Sequence, residues 1–279
     1  MTKHPILRRF IKRKSSIIGC IFLALILFMA IFGPILTTRD PLEIDLKAPY
    51  SGMTKDHPLG TDALGRDTLA RMVYGSRTSL LVSFSGVILG AIAGVLLGLI
   101  SGYFGGVVDT LISRVLDILM AFPGLLLAIL IVSILGNGLE NTIIAISIYT
   151  IPSLARLVRS LVITLKKREF VQVCKTFGTS NSRILFKHIL PNCSSIIIVD
   201  VTLSLGTAIL TSSSLSFLGL GVQPPAAEWG AMLSNAREAL RMQPLAALVP
   251  GIAITLVVLS FSMVGDGLRD ALDPRLKNC

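Results

Sequence analysis

Side chains able to do covalent or metal chemistry are few in this sequence and stand far apart. No C-x-x-C pair occurs among the four cysteines, and the three histidines all lie outside the long apolar runs: Cys20, Cys174, Cys193, Cys279, His4, His57 and His188. These spacings indicate neither a disulfide framework nor a zinc site, so we expect no metal site. A serine nucleophile needs a nearby base, and no histidine lies within an apolar run to supply one. We therefore expect no catalytic residue.

Nucleotide chemistry is not encoded in this chain either. The sequence contains no G-x-x-x-x-G-K-[ST] motif, the loop whose backbone amides cradle nucleotide phosphates. We therefore expect no cofactor bound by this chain. Any step driven by ATP must belong to another subunit.

Three polar residues within one apolar run are the candidates for contact with a solute. Asp200 is the lone acid of its run, and Ser204 and Thr207 follow it in a stretch rich in hydroxyl side chains. A charge at membrane depth is costly and usually faces a bundle interior or a water-filled path. We therefore expect one of three arrangements for Asp200. It contacts a structural partner such as a hydroxyl or backbone group, it lines the translocation path, or it lies nearer the membrane interface than its place in the run suggests. The hydroxyls form hydrogen bonds between helices or a polar wall for a hydrophilic substrate.

The elements that hold these residues are membrane-spanning helices. Of the 279 residues 52% are hydrophobic and 15% charged, whereas soluble domains carry about 25% charged residues. A span needs about 20 apolar residues, and six runs qualify: 17–36, 79–102, 116–135, 142–163, 195–216 and 245–265. The net charge of +10 does not indicate nucleic acid, because basic nucleic-acid-binding surfaces belong to polar, soluble folds. The sequence predicts an all-α, polytopic membrane protein in contact with lipid.

The distribution of basic residues predicts the orientation of the chain. With the N-terminus inside, 18 of the 26 Lys and Arg residues lie on the cytoplasmic side, as the positive-inside rule requires. An even number of spans then returns the C-terminus to the cytoplasm. We expect a multi-pass protein of the bacterial plasma membrane with both termini cytoplasmic.

Several residues predict local packing. Glycine recurs at every fourth position of the second span, at Gly86, Gly90, Gly94, Gly98 and Gly102. Small residues at this spacing let helix backbones approach closely in lipid, within this subunit or against a partner.

Charges and a proline near the third and fourth spans carry further expectations. Arg114 and Asp117, three residues apart, are expected to form an ion pair on one helix. Arg156 and Arg159 are expected to anchor the fourth span at its cytoplasmic end or to contact a partner subunit. Pro123 is expected to bend or start the third span.

The cytoplasmic segment 164–194 contains a short amphipathic helix. Phe170, Val173, Cys174 and Phe177 recur at helical spacing. Gly178 follows at the position of a helix C-cap, and a second helical stretch, 182–190, ends before Pro191. The apolar face outside the membrane fits either the headgroup region or another protein, and spacing alone leaves both open.

This segment resembles the EAA loop of permease subunits of ATP-binding cassette (ABC) importers. Gln172-Val173-Cys174 takes the Glu-Ala-Ala position, Gly178 matches the glycine, and Leu190-Pro191 falls at the right distance. The departures are Gln172 in place of the acid, the two residues after it in place of the alanines, and His188 where Ile is usual. The resemblance implies that 169–191 is a coupling helix docked on an ATPase, through Glu169, Phe170, Gln172, Val173, Cys174, Phe177, Gly178, Leu190 and Pro191.

Three further stretches resemble the second, C-type permease of dipeptide, oligopeptide and nickel importers. They begin at His57-Pro-Leu-Gly-Thr-Asp, Leu215-Ser-Phe-Leu-Gly and Gly265-Asp-Gly-Leu-Arg. The resemblance implies an ABC type I importer permease fold, with residues 1–78 forming the cytoplasmic N-terminus, first span and outer loop. Residues 79–279 then form the core transmembrane domain.

The same resemblance implies the partners and the cargo. The partners are a homologous permease subunit, two ATP-binding subunits that hold ATP and Mg²⁺, and an extracytoplasmic substrate-binding protein. The implied cargo is a di- or oligopeptide, with a glutathione-like peptide or nickel and metal chelates as alternatives. A secondary transporter is the remote alternative, because it needs coupling-ion sites or broken helices within the spans, and Asp200 alone supports it.

Overall fold

The described part of the protein is entirely helical. The computed structural model describes residues 5–272, without the side chains of residues 5–8, 34 and 36. The predicted features at His4, at Cys279 and beyond residue 272 therefore lie outside the described residues. The helices are α1 (Pro5–Lys12), α2 (Lys14–Leu36), α3 (Thr68–Phe104), α4 (Gly106–Met120), α5 (Gly124–Leu135), α6 (Leu139–Leu165), α7 (Glu169–Thr176), α8 (Asn181–Arg183), α9 (Leu190–Phe217), α10 (Trp229–Ala236) and α11 (Leu245–Leu272).

Within residues 5–272, five helices are long and apolar enough to cross a membrane, and a sixth span is counted if α4 and α5 form one broken span. The five are α2, α3, α6, the continuous helix Asn181–Phe217 and α11. The axes of α4 and α5 meet at 92°, at the Pro123 where a bend is predicted, because proline cannot donate the backbone hydrogen bond of a continuing helix. The predicted all-α membrane fold is confirmed.

The helix before α9 differs from the sequence prediction. A separate helix 182–190 that ends at Pro191 is wrong, because Asn181–Phe217 is one helix of 37 residues. A π-helical segment, Ile184–Ile189, lies just before the proline, and the Leu190 N–H bonds back to the Leu185 carbonyl. The wider turn lets the helix continue past a residue that has no N–H.

The first span is joined to α3 by hydrogen bonds to backbone carbonyls of α2, one of which has no donor within its own helix. Residue 34 is proline, so the Ala30 carbonyl of α2 lacks its helical donor. Arg77 of α3 donates from Nε to that carbonyl and from Nη2 to the Ile31 carbonyl, the latter at 2.9 Å. The arginine therefore replaces the hydrogen bond that the proline cannot make.

The segment between α2 and α3 folds against the start of α3, against α10 and against the residues just before α11. Asp62 accepts from Arg66 Nε at 2.7 Å and lies 3.4 Å from Arg71 Nε, while His57 Nδ1 lies 2.9 Å from Asp67 Oδ2. Asp67 also caps α3, since its side chain accepts from the Ala70 N–H at 2.7 Å. These contacts give the segment between α2 and α3 a defined structure.

Candidate functional site

The five periodic glycines lie along the contact between α3 and α6. A methyl group on any of Gly86, Gly90, Gly94, Gly98 or Gly102 would lie 2.5–3.0 Å from an α6 atom. For four of the five the nearest atom is a backbone carbonyl oxygen. The glycines therefore permit backbone contact within this subunit, through which α3 and α6 position the segment that follows α6.

Glycine also ends α7, the short helix of the predicted coupling segment. Gly178 has a φ of +72°, its N–H donates to the Lys175 carbonyl at 3.0 Å, and the Thr179 N–H donates to the Cys174 carbonyl at 3.0 Å. This pair of bonds is the Schellman motif, which satisfies the last carbonyls of a helix. No atom lies within 4 Å of where a Gly178 Cβ would be, so glycine is needed here for its backbone conformation.

The two faces of α7 differ sharply in burial. Val171 is fully buried in a core cluster formed with residues of α3, α6 and the start of α9, and Cys174 is partly buried against the same cluster. Phe170, Val173 and Phe177 are exposed, and Phe177 is 82% exposed. The predicted apolar stripe therefore divides, with Cys174 facing this chain's own core and three large apolar side chains facing outward.

The polar residues of the same segment are mostly exposed. Glu169 and Gln172 are exposed, and Gln172 Nε2 donates to the Lys166 carbonyl at 2.9 Å. Gln172 thus closes the turn into α7 within this chain. Leu190 is half-buried and Pro191 exposed, at the start of α9.

Tyr103, which sequence reasoning missed, joins the end of α3 to both sides of α7. Its hydroxyl donates to Asn181 Oδ1 at 2.8 Å, and its backbone carbonyl accepts from Lys166 Nζ. The ammonium groups of Lys166 and Lys175 lie 5.5 and 5.2 Å from its ring centroid, within cation–π range. The only sequence signal was its position one residue after the last periodic glycine.

Charged side chains of α4 and α6 form pairs between the two helices. Arg159 donates from two nitrogens to the two oxygens of Asp109, at 2.5 and 2.6 Å. Arg156 donates to Asp117 at 2.7 Å. The predicted Arg114–Asp117 pair is therefore wrong, since Asp117 pairs with the facing helix. The two arginines fix α6 to α4.

Asp200, Ser204 and Thr207 lie on one partly exposed face of α9. The opposite face, including Leu205, Ala208 and Ile209, is buried. Ser204 and Thr207 line a cavity of about 190 Å³ against the α4–α5 bend and Tyr149 and Ser153 of α6. A hydroxyl-bearing face that this chain leaves partly uncovered is suited to water, a solute or a second subunit.

Asp200 lies one helical turn before Ser204 along α9, in a larger groove. This groove has a volume of about 380 Å³ and lies between α6, α9 and α11. Arg269 also lines it, together with Leu157, Val199 and Leu203. Since Asp200 precedes Phe217 by 17 residues, about 25 Å of helix separate them. With Phe217 at one boundary of a core about 30 Å thick, Asp200 lies near the opposite boundary.

A buried acid fixes the short helix α10 to α3. Glu228 accepts from Ser79 Oγ at 3.1 Å and from the Ala231 N–H at 2.8 Å, and Trp229 Nε1 donates to the Met72 carbonyl at 3.0 Å. Burial raises the pKa of the Glu228 carboxyl, although the hydrogen bonds that it accepts act in the opposite direction. The arrangement is an anchor, since Glu228 and Trp229 are both almost fully buried.

A bundle of apolar spans with a partly uncovered hydroxyl face and an exposed aromatic helix beyond the membrane defines a membrane-embedded subunit of a transport complex. Residues 94–278 match the family described as the binding-protein-dependent transport system inner membrane component. Residues 4–51 match the N-terminal TM domain of oligopeptide transport permease C. The chain belongs to this family of multi-pass ABC importer permease subunits, in which the partner ATPases bind the nucleotide.

Curated relatives resemble the chain over nearly its whole length. It is 50% identical over 267 residues to the dipeptide transport system permease protein DppC of Alkalihalophilus pseudofirmus, covering 96% of this chain and 88% of the relative. It is 46% identical over 271 residues to the glutathione transport system permease protein GsiD of Salmonella typhimurium, covering 97% and 89%. These names give no specific support to the nickel alternative.

A solved structure supports the fold. The chain matches a chain of the MetNI methionine ABC transporter in an inward-facing conformation with a TM-score of 0.58 and 18% identity. The match covers 73% of this chain and 97% of that one. At this identity the likeness concerns the fold, and the predicted ABC importer permease fold is confirmed.

Proposed function

We propose that this chain is the second permease subunit of an ATP-driven importer of peptides across the bacterial plasma membrane. A homologous permease subunit completes the path, two ATP-binding subunits dock on the cytoplasmic side, and an extracytoplasmic binding protein delivers the peptide. The relatives named for dipeptide and glutathione transport support the peptide class.

The observation that carries the proposal is the outward face of α7. Phe170, Val173 and Phe177 are exposed on a helix of eight residues that lies outside the spans. Three exposed large apolar side chains on one face are characteristic of a helix that packs into a groove of a partner. The Schellman cap at Gly178 and the contacts of Tyr103 hold α7 in place on this subunit. Coupling thus requires that α7 moves together with the ATPase.

The orientation follows from where the charges lie. The α7 segment is basic, and α1 reaches the same end of the bundle, since Arg13 pairs with Asp270 near the end of α11. The positive-inside rule then places α7 and both termini in the cytoplasm. The outer segment between α2 and α3 and the α10 region face the binding protein.

The path is proposed along α9. Asp200, Ser204 and Thr207 lie on its uncovered face, and a polar face on a spanning helix requires water, a solute or a polar partner. The homologous permease would supply the opposite wall. In this arrangement residues 1–78 form the peripheral first unit, and residues 79–279 form the core that contains the α3–α6 contact, the α9 face and the coupling segment.

The experiment compares a substitution on the exposed face of α7 with a substitution of a similarly exposed apolar residue on the opposite side of the membrane. ATPase co-purification and dipeptide uptake are measured for both. Phe177→Ser is expected to lower both ATPase co-purification and dipeptide uptake at least tenfold, because it removes the most exposed aromatic side chain of the docking face. Leu46→Ser, in the outer segment and 75% exposed, is the matched control and should retain both. Unchanged ATPase binding in Phe177→Ser would refute docking through this face.

A further inference from the structure

Asp200 carries a charge that nothing in residues 5–272 balances. No hydrogen bond or ion pair joins its carboxylate to any residue in that range, although the residue is half-buried in the inner part of a spanning helix. An uncompensated charge in such a place is expensive. A carboxylate kept there is therefore expected to meet a cation that arrives from elsewhere.

Arg269 carries the opposite charge on the same groove. Both residues line it, yet no nitrogen–oxygen distance of 4 Å or less joins them as an ion pair. Leu157, Val199 and Leu203 line the same groove. A volume of about 380 Å³ lies within the range of about 300–1,000 Å³ typical of small-molecule sites. The groove thus offers an anion and a cation, and the wall that they share carries Ser195 and several apolar side chains.

We infer that this groove is a cytoplasmic-side subsite for peptide cargo, in which Asp200 receives the peptide's α-ammonium group and Arg269 receives a carboxylate. A charge-assisted hydrogen bond to each end selects a molecule with both groups, and the apolar wall accepts a side chain. Simple anions and simple cations satisfy only half of the site. The inference rests on the proposed peptide import.

The position of the groove indicates its role in the sequence of transport. Ser204 and Thr207 lie one and two turns from Asp200 toward the outer side and line the cavity at the α4–α5 bend. A peptide that follows these hydroxyls reaches the charged groove last, near the inner boundary. The subsite would therefore hold cargo just before release into the cytoplasm.

The test applies peptide from the cytoplasmic side, so that the binding protein does not select it. Inside-out vesicles containing the whole complex are incubated with alanyl-benzoylphenylalanine, with its N-acetyl form and with its C-terminal amide. After illumination, covalent labelling of α9 and α11 is measured by mass spectrometry. We expect at least tenfold more labelling by the free dipeptide than by either blocked form, and excess unlabelled dipeptide should compete.

The variants assign each charge to one end of the peptide. Asp200→Asn should lower labelling by the free dipeptide about tenfold and leave the N-acetyl form unchanged, whereas Asp200→Glu should retain most of it. Arg269→Gln should abolish the preference for the free dipeptide over the amide. The control is Glu140→Gln, an exposed acid at the outer start of α6, which should change none of these values.

Defined outcomes would overturn the inference. These are equal labelling by the three peptides, competition by phosphatidylethanolamine instead of dipeptide, or loss of the partner permease from Asp200→Asn, which would make Asp200 an assembly contact. ATP-driven dipeptide uptake by the wild-type complex is measured separately. If that uptake is absent, the proposed function fails; if it is present without selective labelling, only the subsite fails.

Discussion

Replacing Gly178 isolates the contribution of one backbone conformation to coupling. With a φ of +72° and no atom within 4 Å of a built Cβ, a side chain there meets strain but no clash. An L-residue in the left-handed region costs about 1–2 kcal/mol, and asparagine less than alanine. Since α7 has eight residues and so short a helix is marginal by itself, this cost falls directly on the Schellman cap.

The magnitudes predict a graded series. Because each 1.4 kcal/mol is a factor of ten, Gly178→Ala should lower the population of correctly capped α7, and with it the uptake rate, by about tenfold. Gly178→Asn should lower it by about threefold or less. Gly178→Glu adds a carboxylate at a helix C-terminus, which costs a further 0.3–1 kcal/mol or so, and should reduce uptake to near background while the subunit stays in the membrane.

The assay is peptide uptake per ATP hydrolysed in proteoliposomes containing the whole complex. Gly219→Ala is the matched control, since Gly219 has a φ of +78°, equally open surroundings and the same kind of cap at the outer end of α9. It should lower thermal stability by a similar amount and keep uptake coupled to hydrolysis. Normal uptake in Gly178→Glu, or equal losses in Asn and Ala, would refute the reasoning.

Three further predictions concern the bundle. Gly90→Ala places a methyl group 2.7 Å from the α6 backbone and should cost about 1–3 kcal/mol in thermal unfolding in detergent, whereas Gly251→Ala, with nothing within 4 Å, should not destabilise. Arg159→Met removes both hydrogen bonds to Asp109 and should lower the free energy of unfolding by about 2 kcal/mol. Arg156→Met breaks a half-exposed pair and should cost under about 1 kcal/mol; equal losses would contradict the difference. Burial raises the pKa of Glu228 in the folded protein above its value in the unfolded chain. The protonated, neutral carboxyl therefore contributes fully to the free energy of unfolding at pH values below the unfolded-state pKa. This contribution is lost as the pH rises through the folded-state pKa. Glu228→Gln should therefore reduce the fall in melting temperature between pH 5 and pH 8, and an unchanged fall would contradict this.

Hydropathy and glycine spacing predicted the fold because both are properties of single elements. The six apolar runs, the bend at Pro123 and the small-residue face from Gly86 to Gly102 can be found by counting along the chain. Lipid makes this counting effective, because every spanning segment must satisfy its own backbone hydrogen bonds. The predicted coupling residues and the predicted path residues stay predictions.

The features that the sequence did not predict depend on contacts between distant elements. Asp117 pairs with Arg156, 39 residues away, instead of with Arg114 on its own helix, because the facing helix brings a guanidinium within reach. The helix continues past Pro191 because a π turn relieves the missing hydrogen bond, which a proline rule cannot foresee. Tyr103 acts on both sides of α7 only because α3 ends there.

The glycine contact between α3 and α6 also limits how the subunit can move. From Gly86 to Gly102 it extends over 16 residues, about 24 Å, with almost no free space between the backbones. A hinge or a sliding motion between these two helices would have to break the entire contact at once. They therefore form one rigid body, so we expect the subunit to change conformation through movements of its other helices against that body.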